Sequence, residues 1–185
     1  MNTLNPNSCA LVLVDYQLRL MPALHGGEAA LARAVWLADV ARTLRIHVVG
    51  TEQNPKGLGP NVEAIRTRCE LTLAKQHFDG CADGLLDALR ADGHLPADLV
   101  LAGCETHVCL MQTVLGGLRH GLQCWVVADA CASRRESDRE LGLQRLRGAG
   151  AVLVSAEMVA FEWLRSSAHP RFQDLRALLK NGPGV

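Results

Sequence analysis

With 185 residues, nineteen Lys and Arg against nineteen Asp and Glu, and no long run of one sign, the chain lacks the electrostatic footprint that nucleic acid or an anionic membrane requires. It is 49% hydrophobic and 21% charged, which excludes disorder and allows a substantial core within one domain over residues 1–185. The first apolar run meets Asp15 too early for a signal peptide or a membrane span, so a cytoplasmic protein with a small-molecule substrate is expected. Seven cysteines without CxxC or zinc-type His spacing fit reduced thiols better than a disulfide framework.

In chain order, a first strand is predicted over residues 10–14 and ends on Asp15. Leu31, Val35, Ala38 and Ala41 then recur at roughly helical spacing before a second strand over 46–50. The loop 53–61, QNPKGLGPN, has the turn chemistry of its glycines and prolines. A third strand over 70–73 leads to Lys75, and Leu85, Leu86 and Leu89 mark the next helix. The fourth strand, 99–102, empties through Gly103 into a helix over 106–118 whose apolar stripe is Val108, Met111, Leu115 and Leu118. A fifth strand over 123–127, a helix around Leu141, Leu143 and Leu146, a sixth strand over 151–154 and further helix over 156–180 complete the pattern.

Alternating strands and helices make an α/β protein. Continuous apolar runs such as LVLV and VVAD read as strands buried on both faces, the mark of a parallel sheet covered by helices. The expected architecture is a three-layer α/β/α sandwich, Rossmann-like, with about six parallel strands. Ligands of such sheets bind beyond the carboxyl ends of the strands, where the strand order switches.

Asp15, Lys75 and Gly103 all follow strand runs at that edge, and Cys109 opens the helix behind Gly103. A cysteine near a helix N-terminus is expected to favour the thiolate. Singly, each residue has a plain reading: Asp15 as a turn residue, Lys75 as a solvated strand end, Cys109 as core. Together they suit covalent catalysis. Cys109 would attack an electrophilic carbon, Asp15 would take the thiol proton and pass it to the leaving group, and Lys75 would hold the carboxylate. Backbone N–H groups around Glu105 and Cys109 would bind the oxyanion.

The segments VLVDYQ, TEQNPKGLG, the lysine after the third strand, GCETHVC, VVADACASR with DRELGLQRLRGAGA, and SAEMVAFEWL resemble the isochorismatase-like cysteine hydrolases over nearly the whole chain. Among these, the isochorismatase-domain proteins of poorly defined substrate are the most similar. The resemblance implies a parallel α/β/α fold, an Asp-Lys-Cys triad at Asp15, Lys75 and Cys109, and a homo-oligomer, dimer or larger. It also implies a non-proline cis peptide between Cys104 and Glu105 that aims the oxyanion donors.

Relatives with nicotinamidase activity build a metal site on an Asp-x-His pair after the second strand. This chain has Thr51-Glu52-Gln53-Asn54 there, so no metal and no cofactor are expected. Around Lys75, relatives show Lys-Thr-x-Phe-Ser where this chain has Lys75-Gln76-His77-Phe78-Asp79, which alters the pocket wall. Gln17, Glu52, Gln53, Phe78 and His107 are the candidate substrate contacts. His25, His47, His77, His94, His120 and His169 are expected to be ordinary surface or core histidines. The reading is metal-independent hydrolysis of a small amide, or an ester, through a Cys109 thioester. The alternatives are isochorismate-type vinyl ether hydrolysis and a non-catalytic scaffold or binding module.

Overall fold

The computed structural model describes residues 3–91, 93 and 96–182; His94 lies outside them. Its elements are β1 (Cys9–Val14), α1 (Gly27–Thr43), β2 (His47–Gln53), the short α2 (Pro55–Leu58) and α3 (Glu63–Arg66), β3 (Leu71–Lys75), α4 (Leu85–Ala91) and β4 (Asp98–Cys104). A π-helical turn, Thr106–Leu110, then leads into α5 (Met111–Arg119), β5 (Gln123–Ala132), α6 (Glu136–Gly148), β6 (Val152–Val154), α7 (Ala156–Leu164) and α8 (Phe172–Asn181). The six strands form one parallel sheet in the order β3-β2-β1-β4-β5-β6. The expected α/β architecture is therefore the observed one, and the strand order reverses between β1 and β4.

The period-two alternation of β1 and β4 divides the core. Leu11, Leu13, Val100 and Ala102 face α1, α7 and α8, where Ala34, Leu37, Val159 and Leu175 meet them. Ala10, Val12, Val14, Leu99 and Leu101 face the opposite layer, with Leu85 and Leu89 of α4, Val114 of α5 and Leu146 of α6. All six residues of β1 are buried, as a central strand covered on both faces requires.

Four strands run past their predicted ends toward the carboxyl edge, because parallel pairing continues there: Gln53 with Lys75, Val14 with Gly103, and Cys104 with Ala132. At Gly103 the strands approach so closely that a Cβ would lie 2.6 Å from both the Cβ and the carbonyl oxygen of Val14. Between β4 and β5 the register slips, Leu101 pairing with Val126 but Gly103 with Cys131. The extra β5 residues are held by the Tyr16 hydroxyl donating to Ala130 O at 2.5 Å and by Arg139, which donates to Ala128 O and Cys131 O at 2.6 and 2.9 Å.

Two further expectations are refined. The loop 53–61 contains α2, and the further helix expected over 156–180 is present as two helices, α7 and α8. Among the described residues no helix is long and apolar enough to cross a membrane.

Candidate active site

The carboxyl ends of β1, β2, β3 and β4 converge on a buried polar cluster. Asp15 leaves β1 with φ +58°, its N–H bonded to Thr51 O at 3.2 Å. Its carboxylate accepts from Thr51 Oγ1 at 2.7 Å on one oxygen and from Lys75 Nζ at 2.8 Å on the other. Both side chains of the Asp15–Lys75 ion pair are 0% exposed. A buried pair of this kind is tolerable only when the remaining donors and acceptors are satisfied.

Gln53 supplies much of that satisfaction. Lys75 Nζ donates to Gln53 Oε1 at 2.7 Å, and Gln53 Nε2 donates to Gln76 O at 2.7 Å. Gln17 fixes the Gln53 backbone from both sides, accepting its N–H at 2.9 Å and donating to its carbonyl at 3.0 Å. The thiol of Cys109 points at the same amide, with Sγ 4.0 Å from Gln53 Oε1. Asp15, Lys75 and Cys109 are thus brought together around Gln53.

Burial pushes the Cys109 thiol up to about 12 from its ordinary value of 9.0. The Asp15 charge adds to this, Lys75 opposes it, and hydrogen bonding to Asp15 and the charge of Glu105 raise it further. The expectation of a thiolate is corrected. Cys109 lies inside the π turn, 5% exposed, where burial first and the Asp15 charge second favour the thiol. The resting group is a thiol beside a base.

The cis peptide between Cys104 and Glu105 is also corrected, since no peptide bond among the described residues is cis. The chain leaves β4 through Glu105 in the left-handed region, φ 52° and ψ 62°, which makes the turn with trans bonds. The Glu105 carboxylate anchors that turn. It accepts from Arg134 N and Nε, each at 3.1 Å, and pairs with Nη2 at 2.9 Å. Thr106 Oγ1 donates to Ala132 O at 3.0 Å, tying the π turn to the end of β5. Cys104 is fully buried and packs its sulfur on Met21 Sδ at 3.6 Å.

The candidate substrate contacts divide. Gln17 and Gln53 are internal supports. Glu52 accepts from Asn61 N at 2.8 Å and ties down the loop after α2. His107 lies 3.1 Å from Ser133 Oγ through Nδ1, and its Nε2 is 3.9 Å from Asp138 of α6. Phe78, after β3, is 48% exposed, as is Leu18, after β1, at 53%. The sequence reading missed Thr51 and Arg134. A threonine inside a strand carries no signal, and only the pairing of Val14 with Thr51 places it beside Asp15. Among the described residues no group of three or more His, Cys, Asp or Glu side chains is placed to hold a metal ion.

A parallel α/β sheet with a buried Asp–Lys pair and a cysteine at its switch point defines a class, the isochorismatase-fold hydrolases. The chain belongs to the isochorismatase family, whose Isochorismatase domain model matches residues 9–158. It is 34% identical over 175 residues to isochorismatase domain-containing protein 2 of Homo sapiens, covering 95% of this chain and 84% of that one. To isochorismatase domain-containing protein 2A of Mus musculus it is 33% identical with the same coverage. Among solved structures it resembles the MAR1 ribonuclease of Caenorhabditis elegans, with a TM-score of 0.92, 29% identity, and coverage of 100% of this chain and 95% of that one. It also resembles the YcaC gene product of Escherichia coli, described as an octameric hydrolase of unknown specificity, with a TM-score of 0.88, 25% identity, and coverage of 97% and 90%.

Proposed function

We propose that this chain, as one domain over residues 1–185, hydrolyses a small amide, or an ester as the second substrate type, through a thioester on Cys109 without a metal or cofactor. The observation that carries the reading is the closed network in which Lys75 bridges Asp15 and Gln53 while the Cys109 thiol faces the same cluster. Asp15 takes the thiol proton as Sγ bonds to the carbonyl carbon. Backbone N–H groups around Glu105 and Cys109 receive the oxyanion. The C–N bond then breaks, and the nitrogen leaves with the proton held by Asp15. Water attacks the thioester, its proton passing through Asp15 back to the sulfur as the acid departs. Lys75 stays charged throughout and orients the carboxylate.

Phe78 and His107 are proposed to meet the substrate, with Glu52 shaping the wall. Gln17 and Gln53 are proposed to act by positioning. A homo-oligomer is proposed on the likeness to the octameric E. coli protein, and a cytoplasmic location on the sequence pattern alone. The C. elegans neighbour is described as a ribonuclease. The balanced charge of this chain favours a small substrate over a polyanion. Vinyl ether hydrolysis would leave Cys109 without a task.

The test is a panel of small amides and esters assayed with wild type, Cys109→Ser and Lys75→Ala, with intact mass measured on enzyme quenched in turnover. Hydrolysis is expected to fall by roughly 10³-fold or more in both variants, because members of a catalytic unit fail together. An acyl adduct should appear on Cys109 in wild type. Full turnover by Cys109→Ser without an adduct would overturn the thioester, and a folded wild type that turns over nothing in the panel would favour a scaffold or binding module.

A further inference from the structure

We propose a second ligand site in this protein: a cavity at the amino-terminal edge of the sheet that binds a small organic anion, a carboxylate or phosphate monoester carrying an apolar group. The cavity has a volume of about 400 Å³, at the small end of the range for ligand pockets. Cys9, which lines it, opens β1, whereas Asp15 follows the other end of that strand. At the usual rise per residue the two sites lie about 20 Å apart.

Most of the polar side chains on its walls can donate, and Asn7 can both donate and accept. Trp163 is 1% exposed, and its buried indole Nε1 has no hydrogen-bond acceptor of its own, facing only the soft sulfur of Cys9. An unmet buried donor is costly and unusual. His169 accepts from Arg171 N at 3.1 Å through Nδ1, which assigns its ring proton to Nε2. Arg45 lines the same cavity, and among the described residues nothing pairs with its guanidinium. His47 is held by Glu70, 3.3 Å from its Nδ1. Among the described residues no carboxylate lines the cavity. An oxyanion, which only accepts, matches this set, and the indole and the Pro6 ring offer apolar walls to its body.

The backbone adds a second observation. Helix α1 ends with Ile46 N bonded to Ala41 O at 2.8 Å and Arg45 N to Arg42 O at 3.1 Å, the double bond of a Schellman cap. The residue at its left-handed position is ordinarily glycine. Here it is Arg45, with φ +61°. A long cationic side chain kept in a strained conformation at a cavity mouth points to a role for the guanidinium rather than for the turn.

The test follows the three indole N–H resonances of ¹⁵N-tryptophan-labelled protein during titration with benzoate, phenyl phosphate and neutral benzyl alcohol, with Trp163→Phe for assignment. Saturable movement of the Trp163 signal is expected with an anion and not with benzyl alcohol. The Trp36 signal should stay in place, since its Nε1 already donates to Leu178 O at 2.9 Å. The tighter of the two anions identifies the headgroup. Arg45→Gly should weaken binding tenfold or more while its melting temperature equals or exceeds that of wild type, because glycine relieves the left-handed strain. Cys109→Ala should bind as wild type does. A Trp163 signal that no anion moves, an equal response to benzyl alcohol, unchanged affinity in Arg45→Gly, or loss of binding in Cys109→Ala would each overturn the proposal.

Discussion

At the scale of the residue, the Cys109 thiol and the Asp15 carboxylate act on each other in a way that separates reactivity from catalysis. The thiol is held at about 12 by burial first and by the Asp15 charge second. In wild type, alkylation by iodoacetamide should therefore be slow at pH 8 and still rising beyond pH 9, with no plateau in the neutral range. Asp15→Asn removes the second cause and keeps one of the two side-chain oxygens that Thr51 and Lys75 now use separately, so the thiol pKa falls. Alkylation at pH 8 is expected to speed up several-fold while hydrolysis is lost. A structural aspartate would leave the two rates moving together. Gln53 offers a complementary case. Gln53→Met keeps its length but deprives Lys75 of one of its two acceptors. A loss of about 1–3 kcal/mol in urea unfolding is expected, the penalty of an under-satisfied buried donor, together with reduced turnover.

At the scale of the element, all six strands were readable from apolar runs, and so was the parallel sheet, because strands buried on both faces leave that mark in composition. Asp15, Lys75 and Cys109 could be assigned to one edge for the same reason. What periodicity could not reach were features decided by partners distant in the chain. The length of β5 and its register slip depend on Tyr16 and Arg139 holding its extra carbonyls. The π turn reads as ordinary helix from Val108, Met111 and Leu115, and its start is set by Glu105 held against Arg134. Helix α6 packs so closely on this turn that a Cβ at Gly142 would sit 3.0 Å from His107 Cα and 3.1 Å from its N. Backbone cannot yield as a flexible side chain can. Gly142→Ala should raise helix propensity yet displace the turn that carries Cys109, so kcat is expected to drop about tenfold with melting changed little. Wild-type kcat in this variant would show that the turn tolerates the shift.

At the scale of the whole molecule, the thiols form a collective load that appears in alkali. All seven cysteines are free, and Cys9, Cys104, Cys109, Cys124 and Cys131 are buried. Burial pushes Cys9, Cys109, Cys124 and Cys131 up to about 12, and Cys104 well above its ordinary value of 9.0. These folded-state values are raised, so the native state keeps protons that the unfolded chain releases above pH 9. Stability is fully present below pH 9 and declines as pH rises toward 12. Each of the five buried thiols contributes a slope of about 1.4 kcal/mol per pH unit, together about 7, and the half-buried Cys69 and Cys81, also pushed up to about 12, add to it. Against a total stability of about 5–15 kcal/mol for a domain, the protein is expected to unfold cooperatively within about two pH units above 9. Tyr16, fully buried and likewise raised, steepens the loss once the pH passes 10. Urea midpoints measured under reductant from pH 7.5 to 10.5 check this. Replacing Cys9 and Cys124 together by alanine removes two of the seven linked protons, so the slope should fall by about 3 kcal/mol per pH unit. A midpoint flat to pH 10.5 would mean that the buried thiols ionise without resistance.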